Sequence, residues 1–70
     1  MSAPPSPQQR ILEHLQEIQY LNRRLLVDLQ AVRRPTADVR VAIDLHARKA
    51  REIAEEIAWF TRACELAAVA

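Results

Sequence analysis

From Ile11 onward the apolar residues of this chain recur alternately at four and three positions: Ile11, Leu15, Ile18, Leu25, Leu29 and Val32, with Asn22 the one polar member of the series. A helix of 3.6 residues per turn keeps such positions on one side, so the segment reads as a helix carrying an apolar seam. The rhythm returns through Val39, Ile43, His46, Ala50, Ile53, Ile57, Phe60, Cys64 and Ala67. About four unbroken heptads of this kind predict a second helix that packs on another helix. The boundaries carry their own signals. Ser6 is placed as an N-cap, Pro7 as the first helical residue and Gln9 as the reciprocal member of a capping box. Arg33 and Arg34 suit the negative end of a helix dipole, and Pro35 then stops the helix because its predecessor is pushed out of helical geometry. Thr36 is the next N-cap, with Asp38 favourable in the first turn. The expected organisation is a proline-rich disordered tail and cap over 1–6, a helix over about 7–34, a turn at 34–36 and a helix over about 37–68.

So short a turn forces an antiparallel return. Folding there pairs the two seams in one register, Leu29 with Ile43, Leu25 with His46, Asn22 with Ala50, Ile18 with Ile53, Leu15 with Ile57 and Ile11 with Phe60, each pair of numbers adding to 71 or 72. The fold class is therefore all-α, an antiparallel, coiled-coil-like two-helix hairpin. A hairpin alone buries little, and apolar residues remain off the seam. Leu12 and Leu26 fall on one flank of the first helix and Leu21 on the other, while Leu45, Trp59 and Leu66 follow a seven-residue spacing on the second, interrupted by Glu52. Exposed stripes of this kind mark interfaces. They predict completion to a four-helix bundle, by homodimerisation or by a helical partner. On the outside, Arg40, Asp44, Arg48 and Glu52 alternate in sign at four-residue steps, the pattern of a solvated helix face.

Composition narrows the function classes. The chain has 70 residues and no glycine, which removes the glycine-rich loops that cradle phosphates. Its opening residues are polar and proline-rich rather than a secretory signal, and no apolar run approaches the ~20 residues that span a bilayer. With one cysteine there is no internal disulfide, and a cytoplasmic location is expected. Pro4, Pro5, Ser6 and Pro7 formally spell P-x-x-P, but the helix cap accounts for them better.

Two polar residues stand inside the seam. Asn22 occupies a position where a buried Asn fixes register and oligomer state. His46 lies one layer away, within reach, so the two are expected to form a hydrogen-bonded polar layer. A pH-sensitive switch is the alternative, since His titrates near neutrality. Soft metal ligands are limited to His14, His46 and Cys64. They fall in separate layers of the hairpin, so neither a metal nor another cofactor is expected, and Cys64 reads as a small apolar core residue. Nothing groups into a catalytic constellation, and no enzymatic activity is expected. The segment Ile18-Gln19-Tyr20-Leu21-Asn22-Arg23-Arg24-Leu25-Leu26 resembles the first helix of the all-helical chorismate mutases. That resemblance covers one helix, and the second half does not match the basic and acidic active-site cluster those enzymes need. The activity is not carried over.

The net charge of +1 is unevenly distributed. From Arg23 to Arg51, the half around the turn, eight cations stand against three aspartates, a net of +5. The open end holds Arg10 and Arg62 against six glutamates, a net of −4. Two functions follow. One is a helical protein–protein interaction module (adaptor, co-chaperone or assembly subunit) whose partner is a second copy or another helical protein. The other is a small nucleic-acid-binding regulator using Arg33, Arg34 and Arg40 on the turn. The basic half lacks aromatic residues for base stacking. Self-pairing explains both the bipolar charge and the spare apolar stripe, so the first reading is preferred.

Overall fold

The computed structural model describes residues 6–69, with side chains through residue 67. Residues 1–5 of the expected proline-rich tail lie outside the described residues. Two helices, α1 (Pro7–Gln30) and α2 (Ala37–Val69), pack side by side as an antiparallel hairpin.

α1 begins as its local sequence dictates. The Gln9 backbone N–H donates to Ser6 Oγ at 3.3 Å, and the Ser6 N–H donates to Gln9 Oε1 at 3.1 Å. This reciprocal box satisfies two of the donors that a helix start leaves free, and Pro7 follows at the first helical position. The helix ends earlier than the sequence pattern predicts, at Gln30 rather than Arg34. Pro35 bars a helix from running through it, and the chain leaves helical geometry four residues earlier still. Ala31 is accordingly the cap, its N–H shared between Val27 O at 3.1 Å and Asp28 O at 3.2 Å. Arg33 and Arg34 thus lie in the connection and are exposed. Thr36 caps α2 as expected, its Oγ1 accepting from the Val39 N–H at 3.4 Å.

The inner face of α2 follows the expected series from Val39 to Cys64, with Ile53 buried, the rest of the series half-buried and Ala67 exposed. The inner face of α1 does not. Leu12, Leu15, Leu26 and Leu29 are half-buried and Gln19 and Asn22 are buried, whereas Ile11, Ile18, Leu25 and Val32 are 41–49% exposed. The helix is rotated by about 50°, half of one residue step, so that three expected contacts give way to their next neighbours while Leu15, Asn22 and Leu29 stay inside. Register changes with it. Gln19 Nε2 donates to the Ala50 carbonyl at 2.8 Å and Asn22 Nδ2 to the His46 carbonyl at 3.0 Å. Asn22 is thereby tied to His46 rather than set against Ala50.

The result is a hairpin one helix thick. Its extents are 52 × 23 × 13 Å, and a second layer of helices would add roughly 8–10 Å to the smallest. The radius of gyration is 16.1 Å, against about 11 Å for a compact chain of this length. Among the described residues the only buried apolar side chain is Ile53.

Candidate functional site

Two features are built on this frame: a polar layer inside the hairpin and an uncovered apolar face outside it.

The polar layer joins Gln19 and Asn22 of α1 to His46 and Ala50 of α2. Because the Asn22 amide nitrogen donates to the His46 carbonyl, its Oδ1 is left as an acceptor for the His46 ring, at 2.8 Å from Nδ1. Nδ1 must then carry the hydrogen, which fixes the tautomer of the neutral ring. Asn22 and His46 thus meet in one hydrogen-bonded polar layer. Gln19 belongs to it as well, and the apolar pattern passes over it because Ile18 next door fits the seam rhythm better. Its Oε1 is buried with no hydrogen-bond partner. An orphaned buried acceptor costs about 1–3 kcal/mol, comparable to or larger than the net contribution of the Gln19–Ala50 bond. Gln19→Leu is therefore expected to raise the melting midpoint of the chain, read by circular dichroism; a lower midpoint would mean that the Ala50 bond outweighs the orphan.

The uncovered face comes from the rotation of α1. Ile11, Ile18, Leu25 and Val32 stand at seven-residue steps, and Leu21 projects between Ile18 and Leu25, 58% exposed. Leu12 and Leu26, expected at an outer interface, instead fill the hairpin seam, so that assignment is corrected. On α2, Leu45, Trp59 and Leu66 are 50–67% exposed. These residues share one side of the molecule. Ile11, Ile18 and Leu25 each immediately precede an inner residue of α1 (Leu12, Gln19, Leu26). Leu45 and Trp59 likewise precede inner residues of α2 (His46, Phe60). In right-handed helices packed antiparallel, the side one residue before the seam is the same side of the pair. Trp59 is held edge-on to Phe60, with ring centroids 5.0 Å apart, so an outer aromatic is braced against an inner one.

α1 consequently presents three sets of positions per heptad: two toward α2, in which Gln19 and Asn22 stand among leucines, and one, Ile11 to Val32, uncovered. A two-helix coiled coil needs two such sets, and a helix with two neighbours in a bundle needs three. Hollows beside Leu45 and Trp59 are lined by α2 alone and stand open. They lack the concave, two-sided form of a small-molecule site. Among the described residues no three His, Cys, Asp or Glu side chains converge as metal ligands, and no helix is long and apolar enough to cross a membrane. His14 is exposed on α1, and Cys64 is half-buried on the inner face of α2 as a free thiol. Arg33, Arg34 and Arg40 are all exposed around the connection.

No family model matches the chain. Comparison with curated proteins and with solved structures gives no match either.

Proposed function

We propose that this protein is a non-enzymatic helical protein–protein interaction module that acts through the face bearing Ile18, Leu21, Leu25, Leu45 and Trp59. The observation that carries the reading is the third apolar set of α1, four aliphatic residues in heptad spacing with no helix over them. A chain below ~70–80 residues without disulfides or metal seldom gains more than 3–5 kcal/mol from its own core. Covering this face supplies the missing burial, at roughly 25 cal/mol per Å² of apolar surface. Adaptors, co-chaperones and assembly subunits all work in this manner. The polar layer then sets the register of the face presented to the partner.

Photo-crosslinking in cells tests the reading. A crosslinking residue at Ile18 or Leu25 is expected to capture protein efficiently. The same residue at Val27, exposed on the opposite side of α1, is expected to capture at least several-fold less. Equal capture from both sides, or capture of RNA or DNA alone, would overturn the proposal. The second of these results would move the function to Arg33, Arg34 and Arg40.

A further inference from the structure

Resting on the interaction-module reading, we infer that the occupant of the apolar face is a second copy of this chain, packed with its turn at the opposite end, so that α1 lies antiparallel on the α1 of its partner copy and the four helices close into a bundle. Three observations converge. First, the uncovered ladder matches itself. Ile11, Ile18, Leu25 and Val32 are evenly spaced about a midpoint between Leu21 and Asn22. Reversing the ladder on a two-fold axis there sets Ile11 opposite Val32 and Ile18 opposite Leu25, with the two Leu21 side chains meeting near the axis. An isologous interface requires this self-complementarity.

Second, charge selects the orientation. Every charged residue of both halves is exposed. The hydrogen bonds of Gln19 to Ala50 and of Asn22 to His46 place the Arg23–Arg51 half at the turn end of the rod. Packing with both turns at one end would bring +5 against +5 and −4 against −4. Packing with turns opposed sets the basic turn half of each copy, net +5, beside the acidic open half of the other, net −4. Exposed charge contributes little affinity, but like-charge juxtaposition discriminates strongly between alternative dockings. Third, the hairpin is one layer thick, and the missing layer has the dimensions of another such hairpin. An anionic nucleic-acid strand would meet the basic turn and leave the ladder open.

Charge placed at the axis gives a decisive test. Leu21→Glu and Leu21→Lys are each expected to be monomeric by sedimentation at concentrations where the wild-type chain has twice the monomer mass. Mixed in equal amounts and refolded together, they are expected to recover the dimer, because Glu and Lys then face one another. A single spin label at Thr36, in a Cys64→Ala background, reads the orientation. With opposed turns, two labels about 15 residues from the axis stand on the order of 40 Å apart at 1.5 Å per residue. A wild-type monomer, mixtures that stay monomeric, or labels within 20 Å would each overturn the inference. If the Ile18 crosslink instead captures a different protein, the second-copy assignment fails while the interaction-module reading stands. Absence of any protein crosslink defeats both.

Discussion

Ile53→Ala is expected to abolish most of the helical circular dichroism signal of the chain at room temperature. Truncating a buried Ile to Ala costs about 2–5 kcal/mol, through lost transfer energy and the cavity left behind. Elsewhere that is a fraction of the total stability. Here Ile53 is the single buried apolar residue among those described, in a hairpin one helix thick. The loss is therefore comparable to the ~3–5 kcal/mol that a core of this size provides. Val41→Ala serves as the control, because Val41 is 68% exposed and its truncation is expected to shift stability by no more than about 0.5 kcal/mol. Thermal melts of the two variants check the contrast. Equal melting midpoints would mean that Ile53 does not hold the hairpin together.

The second large effect concerns the polar layer and is read as a double-mutant cycle. Asn22→Leu removes the acceptor for the His46 Nδ1–H and leaves that donor inside the seam. A stranded donor costs about 1–3 kcal/mol. Replacing both partners, Asn22→Leu with His46→Leu, removes donor and acceptor together, and each buried Leu side chain contributes about 1.5–3 kcal/mol. The single variant is expected to melt lower than wild type and the double variant higher. Specificity should move the other way. Without the paired Asn22–His46 and Gln19–Ala50 bonds acting together, slipped alignments of two apolar seams differ little in energy. The double variant is expected to show more than one set of backbone amide resonances where the wild type shows one. Strictly additive effects of the two substitutions would show that the Asn22–His46 bond contributes no coupling energy.

Both effects return to the same peculiarity. The hairpin gives a third of its inner face on α1, Gln19 and Asn22, to amides and leaves four aliphatic residues, Ile11, Ile18, Leu25 and Val32, exposed. For a protein that functions alone this would be a poor use of the sequence. For one layer of a bundle it is a division of labour. Gln19 and Asn22 tie α1 to α2 backbone oxygens, while Ile11, Ile18, Leu25 and Val32 remain exposed.

Much of the fold can be read from local chemistry. Ser6, Pro7 and Gln9 start α1 through contacts within one turn, and Thr36 starts α2 in the same way. Such short-range geometry belongs to the residues concerned. The inner face of α2 was equally legible, because Leu45, Trp59 and Leu66 are too sparse to compete with the series from Val39 to Cys64. The proximity of Asn22 and His46 also followed from spacing, though not the tautomer that joins them.

The end of α1 is not legible in the same way, because helix-forming residues run on to Arg34 while the helix stops at Gln30. The azimuth of α1 could not be settled locally at all. Leu15, Asn22 and Leu29 belong to both possible seams, and the remaining contacts are either Ile11, Ile18 and Leu25 or Leu12, Gln19 and Leu26. Hydrophobic pattern alone prefers the set without Gln19. Once α2 lies alongside, however, Gln19 Nε2 finds the Ala50 carbonyl and Asn22 finds His46, partners 31 and 24 positions away in sequence, while Gln19 Oε1 stays unpaired. Those partners exist only after the chain has folded back on itself. Binary pattern thus made α1 a helix, and packing against α2 decided which of its positions face inward and which, Ile11 to Val32, stay exposed.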